Sequence, residues 1–92
     1  MAAIPNTMRA IDMLGTGDPE VLVMGEQPVP DLGAGEVLVR VGATSVNPID
    51  TYVRSGMVSA ELPLPFVVGS DLAGRVEAVG EAVAQWKIGD RV

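Results

Sequence analysis

Ninety-two residues with a formal charge of −6, no cysteine and no histidine leave room for at most one domain. They also exclude disulfides, thiol nucleophiles, Ser-His and Cys-His catalytic pairs, and thiolate or imidazole metal ligands. The first 46 residues set six acids against Arg9 and Arg40, and the remainder sets six against Arg54, Arg75, Lys87 and Arg91, so no basic stripe offers itself to a nucleic acid backbone.

The apolar runs are short and broken by proline or glycine, as in LPLPFVVG, and none is long enough to span a bilayer. The opening MAAIPNTMRAI lacks the charged and apolar regions of a signal peptide. The absence of cysteine fits a cytoplasmic protein.

Taken in chain order, Met8–Met13 and Val21–Gln27 are apolar-biased runs separated by the turn formers of LGTGDPE, a pattern that predicts a β-hairpin. VPDLGAGE is a loop punctuated by Pro30, Gly33 and Gly35. EVLVRVGATSV is the clearest strand: Val37, Val39, Val41 and Ala43 fall on one face, with Leu38, Arg40 and Thr44 on the other. Apolar residues on both faces suggest a central or barrel strand.

The next stretch, TSVNPIDTYVRSG, concentrates polar groups in an otherwise greasy chain. Asn47 before Pro48 has the form of an N-cap with proline at the first helical position. Asp50 falls in the first turn, where the helix dipole favours a negative charge, and Gly56 supplies the stop. The helix is one to two turns long, too short to be stable alone. Two readings of the cluster stand side by side. In one, Asn47 caps, Asp50 complements the dipole, Arg54 is solvated and Tyr52 covers an edge of the core. In the other, the cluster is a functional site.

LPLPF reads as a stiff extended connector. VVGSDLAGRVEAVG resumes the β pattern, with Leu72, Gly74, Val76 and Ala78 on one face and Arg75, Glu77 and Val79 on the other. Gly80 opens a turn, and WKIGDRV reads as the entry to another strand. Gly69, Gly74, Gly80 and Gly89 are assigned to turns and close packing. Met8, Met13, Met24 and Met57 are expected as core fillers, Trp86 as a packing anchor, and Glu20, Glu26, Asp31 and Glu36 as a solvated surface. Together these describe a small β-rich barrel or sandwich with one helical turn. A chain ending where a strand begins would leave an edge open, an expectation that the sequence is a portion of something larger.

Neither GTGDPE nor GAGEVL has the third glycine of a dinucleotide fingerprint or its strand–helix setting. GSDLAGRV spaces its glycines like a P-loop, but Arg75-Val76 stands where Lys and Ser/Thr would hold phosphate and magnesium.

SVNPIDTYVRSG, followed by LPFVVGSDLAGRVEAVGEAVAQWKIGDRV, resembles the zeta-crystallin-like quinone oxidoreductase branch of the medium-chain dehydrogenase/reductase superfamily. The resemblance runs from Met8 to the end. It implies a mainly β fold: residues 1–92 as an incomplete N-terminal GroES-like domain, a partial barrel with one short helix, and a Rossmann domain absent from this chain.

It further implies a zinc-free enzyme, since Asn47 and Ser70 stand at the places of a cysteine and a histidine zinc ligand in metal-dependent relatives. The activity implied is hydride transfer from NADPH to a quinone or enone. Tyr52 and Asn47 are the hydrogen-bonding catalytic candidates, and Asn47, Asp50, Thr51 and Tyr52 form the cofactor-binding turn, with no metal. A homo-oligomer is expected, with self-association through exposed strands, and the 92 residues alone are expected to be inactive. Asp71 is expected to brace the barrel through backbone hydrogen bonds. Two other readings remain: a related zinc-free enoyl or alkenal reductase, and a non-catalytic GroES-like assembly module, against which the NPIDTY cluster speaks.

Overall fold

The computed structural model describes residues 3–58 and 61–92. It is mainly β: β1 (Thr7–Met13), β2 (Leu22–Pro28), β3 (Val37–Thr44), helix α1 (Pro48–Ser55), β4 (Phe66–Val67) and β5 (Leu72–Val79), with a single 3₁₀ turn at Pro19–Val21 before β2. Among the described residues the strands form two sheets, one ordered β2-β1-β4 and one pairing β3 with β5, and the chain divides into two compact units that follow this split.

The first unit comprises residues 5–28 and 45–70. Its hairpin follows the alternation in the sequence: β1 and β2 are antiparallel in unbroken register from Thr7↔Pro28 to Met13↔Leu22. LGTGDPE closes it, with the Leu14 N–H donating to the Val21 carbonyl at 2.9 Å. On the other side of β1, Asp12 and Met13 pair with Val67 and Phe66. The connector LPLPF therefore ends in a strand, and it contains a cis Leu64–Pro65 peptide. Met13, flanked by Leu22 and Phe66, is fully buried.

Asp12, beside it, is also buried. A carboxylate there needs a donor, and Gln27 Nε2 supplies one to Asp12 Oδ1 at 2.9 Å. Of the other methionines, Met24 and Met57 are 66% and 76% exposed, so they are not core fillers. Each lies on a surface that no described element covers.

The second unit comprises residues 1–4, 29–44 and 71–92. Here β3 and β5 are antiparallel, and the register slips between Leu38 and Val39 and again between Val41 and Ala43. The slips break the single-face alternation expected for Val37, Val39, Val41 and Ala43, and Val41 ends 53% exposed. Val76 is the buried centre of β5.

Gly74 is required by close approach: a Cβ there would run into the Arg40 carbonyl oxygen and lie 2.8 Å from Val39 Cγ1. The segment WKIGDRV pairs with β5 through one bridge, Arg75↔Arg91, and through reciprocal bonds between Gly74 and Val92 at 3.0 Å in each direction. These are the first pairings of a strand entry, as the pattern suggests, but Trp86 at the start of the segment is 42% exposed instead of anchoring a core. Glu20, Glu26, Asp31 and Glu36 are exposed as expected. Asp71 contributes its backbone carbonyl, which accepts the Thr44 hydroxyl at 2.8 Å.

Candidate functional site

The polar cluster of the sequence is helix α1. Asn47 is its N-cap, in extended conformation, with Pro48 next to it at the start of the helix. The cap is a reciprocal box. The Asn47 side chain accepts the Asp50 backbone N–H, and the Asp50 carboxylate accepts the Asn47 backbone N–H at 2.8 Å. Asp50 thus does more than face the dipole: it is buried and committed to satisfying an orphan donor of the helix start. The Asp50 N–H also donates to the Asn47 backbone carbonyl at 2.9 Å.

Thr51 folds back, its hydroxyl donating to the Pro48 carbonyl at 2.7 Å. Tyr52 is 45% exposed, and its phenol makes no hydrogen bond among the described residues. A half-exposed ring is compatible with covering an edge of the core, and the hydroxyl is left at the surface.

The C-terminal end of α1 is equally determined. Gly56 adopts φ 91°, and its N–H reaches the Tyr52 and Val53 carbonyls, a left-handed cap that glycine adopts without steric cost. Arg54, expected in solvent, is half-buried. Its Nη1 donates to the Gly17 carbonyl at 2.7 Å, and its own carbonyl accepts the Gly17 N–H at 2.8 Å. Both ends of the helix are thus tied down, and the turn carrying Asn47 and Tyr52 is held by bonds that do not consume the phenol.

Ser70 lies exposed in the loop between β4 and β5. Among the described residues no three His, Cys, Asp or Glu side chains converge as a metal site would require, and no helix is long and apolar enough to cross a membrane. Asp12 and Arg54 are the polar residues whose placement the sequence reading missed. The signal for Asp12 was an acid inside an apolar strand run; its donor Gln27 stands opposite Met8, on the same face of the hairpin.

A mainly antiparallel β fold with one short, capped helix presenting Asn47 and Tyr52 defines the class: a GroES-like module. Residues 33–92 match the alcohol dehydrogenase GroES-like domain, and the chain belongs to that family.

It is 45% identical over 93 residues to quinone oxidoreductase of Rattus norvegicus, an alignment that takes in 100% of this chain and 28% of the rat protein. Among solved structures, an NAD-dependent alcohol dehydrogenase superposes with a TM-score of 0.87 at 46% identity, over 91% of this chain and 24% of that one. Escherichia coli quinone oxidoreductase complexed with NADPH superposes with a TM-score of 0.85 at 38% identity, over 91% and 26%. The chain therefore spans little more than a quarter of the length of the quinone oxidoreductases it matches.

Proposed function

We propose that these residues are the substrate-side portion of a zinc-free, NADPH-dependent oxidoreductase that passes a hydride to a quinone or an enone. The observation that carries the reading is the Tyr52 phenol. It sits on a helix fixed at both ends, half exposed and with no hydrogen-bond partner among the described residues, one turn from the Asn47 side chain. Bound NADPH would supply the hydride.

This chain's own contribution is donors and shape. Reduction of a carbonyl leaves negative charge on oxygen, and preorganised N–H and O–H groups stabilise that charge where no metal does. Tyr52 O–H and Asn47 N–H are such donors. Asp50 and Thr51 hold the turn, through the Asn47 backbone N–H and the Pro48 carbonyl.

The donor set suits a nicotinamide and its ribose, which offer carboxamide and hydroxyl groups. It suits zinc poorly, because amide and hydroxyl groups are weak ligands for that ion. The quinone oxidoreductases among the relatives, one of them solved with NADPH, support the substrate and the cofactor. The same reading makes the 92 residues an incomplete GroES-like domain of a cytoplasmic homo-oligomer, inactive without the dinucleotide-binding portion.

The test is consumption of reduced nicotinamide by the whole protein with a quinone, before and after exhaustive chelation. Undiminished quinone-dependent oxidation of NADPH is expected. Activity that chelation abolishes and zinc restores would refute the zinc-free mechanism. Absence of any quinone-dependent oxidation would refute the reading as a whole.

A further inference from the structure

The β3–β5 unit carries a feature that hydride transfer does not use. Arg40 on β3 is the cross-strand partner of Arg75 on β5, and Arg75 is in turn the bridge partner of Arg91. Three arginines therefore stand in one row across three neighbouring backbone segments, on one face, since paired residues project to the same side of a sheet. The chain has six basic residues and a net charge of −6, yet half of its basic side chains are in this row.

Like charges directly opposite one another destabilise a sheet. The Arg75–Arg91 pair is of the closer kind. Gly74 and Val92 exchange both backbone hydrogen bonds, so the adjoining Arg75 and Arg91 form the non-hydrogen-bonded pair, whose Cα atoms lie only about 4.5 Å apart.

Compensation within the protein reaches only one end of the row. Arg40 Nε donates to Glu77 Oε1 at 2.5 Å. The guanidinium groups of Arg75 and Arg91 have no carboxylate and no hydrogen-bond acceptor among the described residues, and both residues are exposed. All three arginines contribute to the wall of one open, mainly apolar groove of about 400 Å³, together with Gly42, Gly74 and Val92. The small residues leave room beside the arginines.

We propose that Arg75 and Arg91 form a binding site for a small phosphate-type dianion, with Arg40 held at its edge by Glu77. A guanidinium presents N–H donors in a planar fork that matches tetrahedral oxyanions. Two such forks on facing residues can bracket one phosphate. The row spans two inter-strand spacings, roughly 10 Å, so a diphosphate would also engage Arg40. The repulsion built into the pair is then the counterpart of its use: a dianion neutralises what the sheet leaves uncompensated.

The experiment titrates the full chain with inorganic phosphate, against chloride at matched ionic strength, while the side-chain Nε–H signals of Arg75 and Arg91 are followed by NMR. Saturable phosphate binding that chloride does not reproduce is expected, with affinity falling at least about tenfold, the equivalent of about 1.4 kcal/mol, in Arg91→Gln and in Arg75→Gln. Arg9→Gln, which removes the same charge from β1, should leave affinity unchanged. The thermal midpoint of Arg75→Gln is the second readout. It should rise, because neutralising one member of a facing pair relieves repulsion. Phosphate shifts no larger than those of chloride would overturn the site, as would equal losses of affinity in all three variants. A lowered midpoint in Arg75→Gln would overturn the claim that the pair is uncompensated.

Discussion

Arg54 and Gly17 bond to each other twice. The Gly17 N–H donates to the Arg54 carbonyl at 2.8 Å, and Arg54 Nη1 donates to the Gly17 carbonyl at 2.7 Å. The last turn of α1 is thereby fixed to the loop that closes the β1–β2 hairpin, through one backbone bond and one side-chain bond. Side-chain substitution can remove only the second. Arg54→Ala leaves the Gly17 carbonyl with no guanidinium donor. Full burial would make a charged hydrogen bond worth about 1.5–3 kcal/mol, and the half-buried setting brings the expected loss down to about 1 kcal/mol. Urea denaturation of Arg54→Ala should show a lower midpoint with an unchanged slope. An unchanged midpoint would return Arg54 to the solvated role that its charge alone suggests.

The capping box gives a second prediction. Asp50→Ala removes the acceptor of the Asn47 N–H and strands it at a part-buried helix start. A lost cap costs about 0.5–2 kcal/mol, and Asp50→Asn, which keeps an acceptor oxygen, should recover part of it. Thermal denaturation followed by circular dichroism distinguishes this from a cofactor role for the carboxylate, in which stability without ligand would not change.

How far the sequence determines this structure follows from the range of the interactions. The hairpin was legible because alternation and turn residues are local, and its strands begin and end within one residue of the expected runs. The helix was legible from Asn47, Pro48 and Gly56. The pairing of Phe66–Val67 with β1 was not, because it joins segments more than fifty residues apart and LPLPF contains no local sign of a partner. The exposure of Met24, Met57 and Trp86 was hidden for a related reason: an apolar side chain announces that it can be buried, not that something covers it. In the candidate site, the residue types of Asn47 and Tyr52 marked the cluster. Which polar groups would be consumed by the fold, as Asp50 and Thr51 are, depended on bond geometry that no spacing specifies.

The far edge of β3 pairs with no other strand among the described residues, and Val41 on it is 53% exposed. An open apolar edge is a template for another chain. The 92-residue chain is expected to self-associate, and Val41→Lys to shift it toward monomer. Light scattering over a dilution series measures both. A wild-type chain that stays monomeric throughout, or an association indifferent to Val41→Lys, would remove β3 as the contact.

Tyr52→Phe, made in the whole enzyme, separates packing from chemistry. The ring volume is retained, and the phenol has no hydrogen bond within the described protein to lose, so the thermal midpoint should stay within error of the wild type. If the phenol donates to the cofactor ribose, the nicotinamide or the substrate carbonyl, its removal leaves that group unpaired at a cost of about 1–3 kcal/mol. This corresponds to a fall of roughly five- to a hundredfold in kcat/KM. A fall in kcat and kcat/KM together would place the bond in the transition state, and a rise in KM alone would place it in ground-state binding. A variant with wild-type kcat/KM and wild-type affinity for NADPH would leave the phenol without a role in the reaction and make the Asn47 amide the remaining donor of this helix.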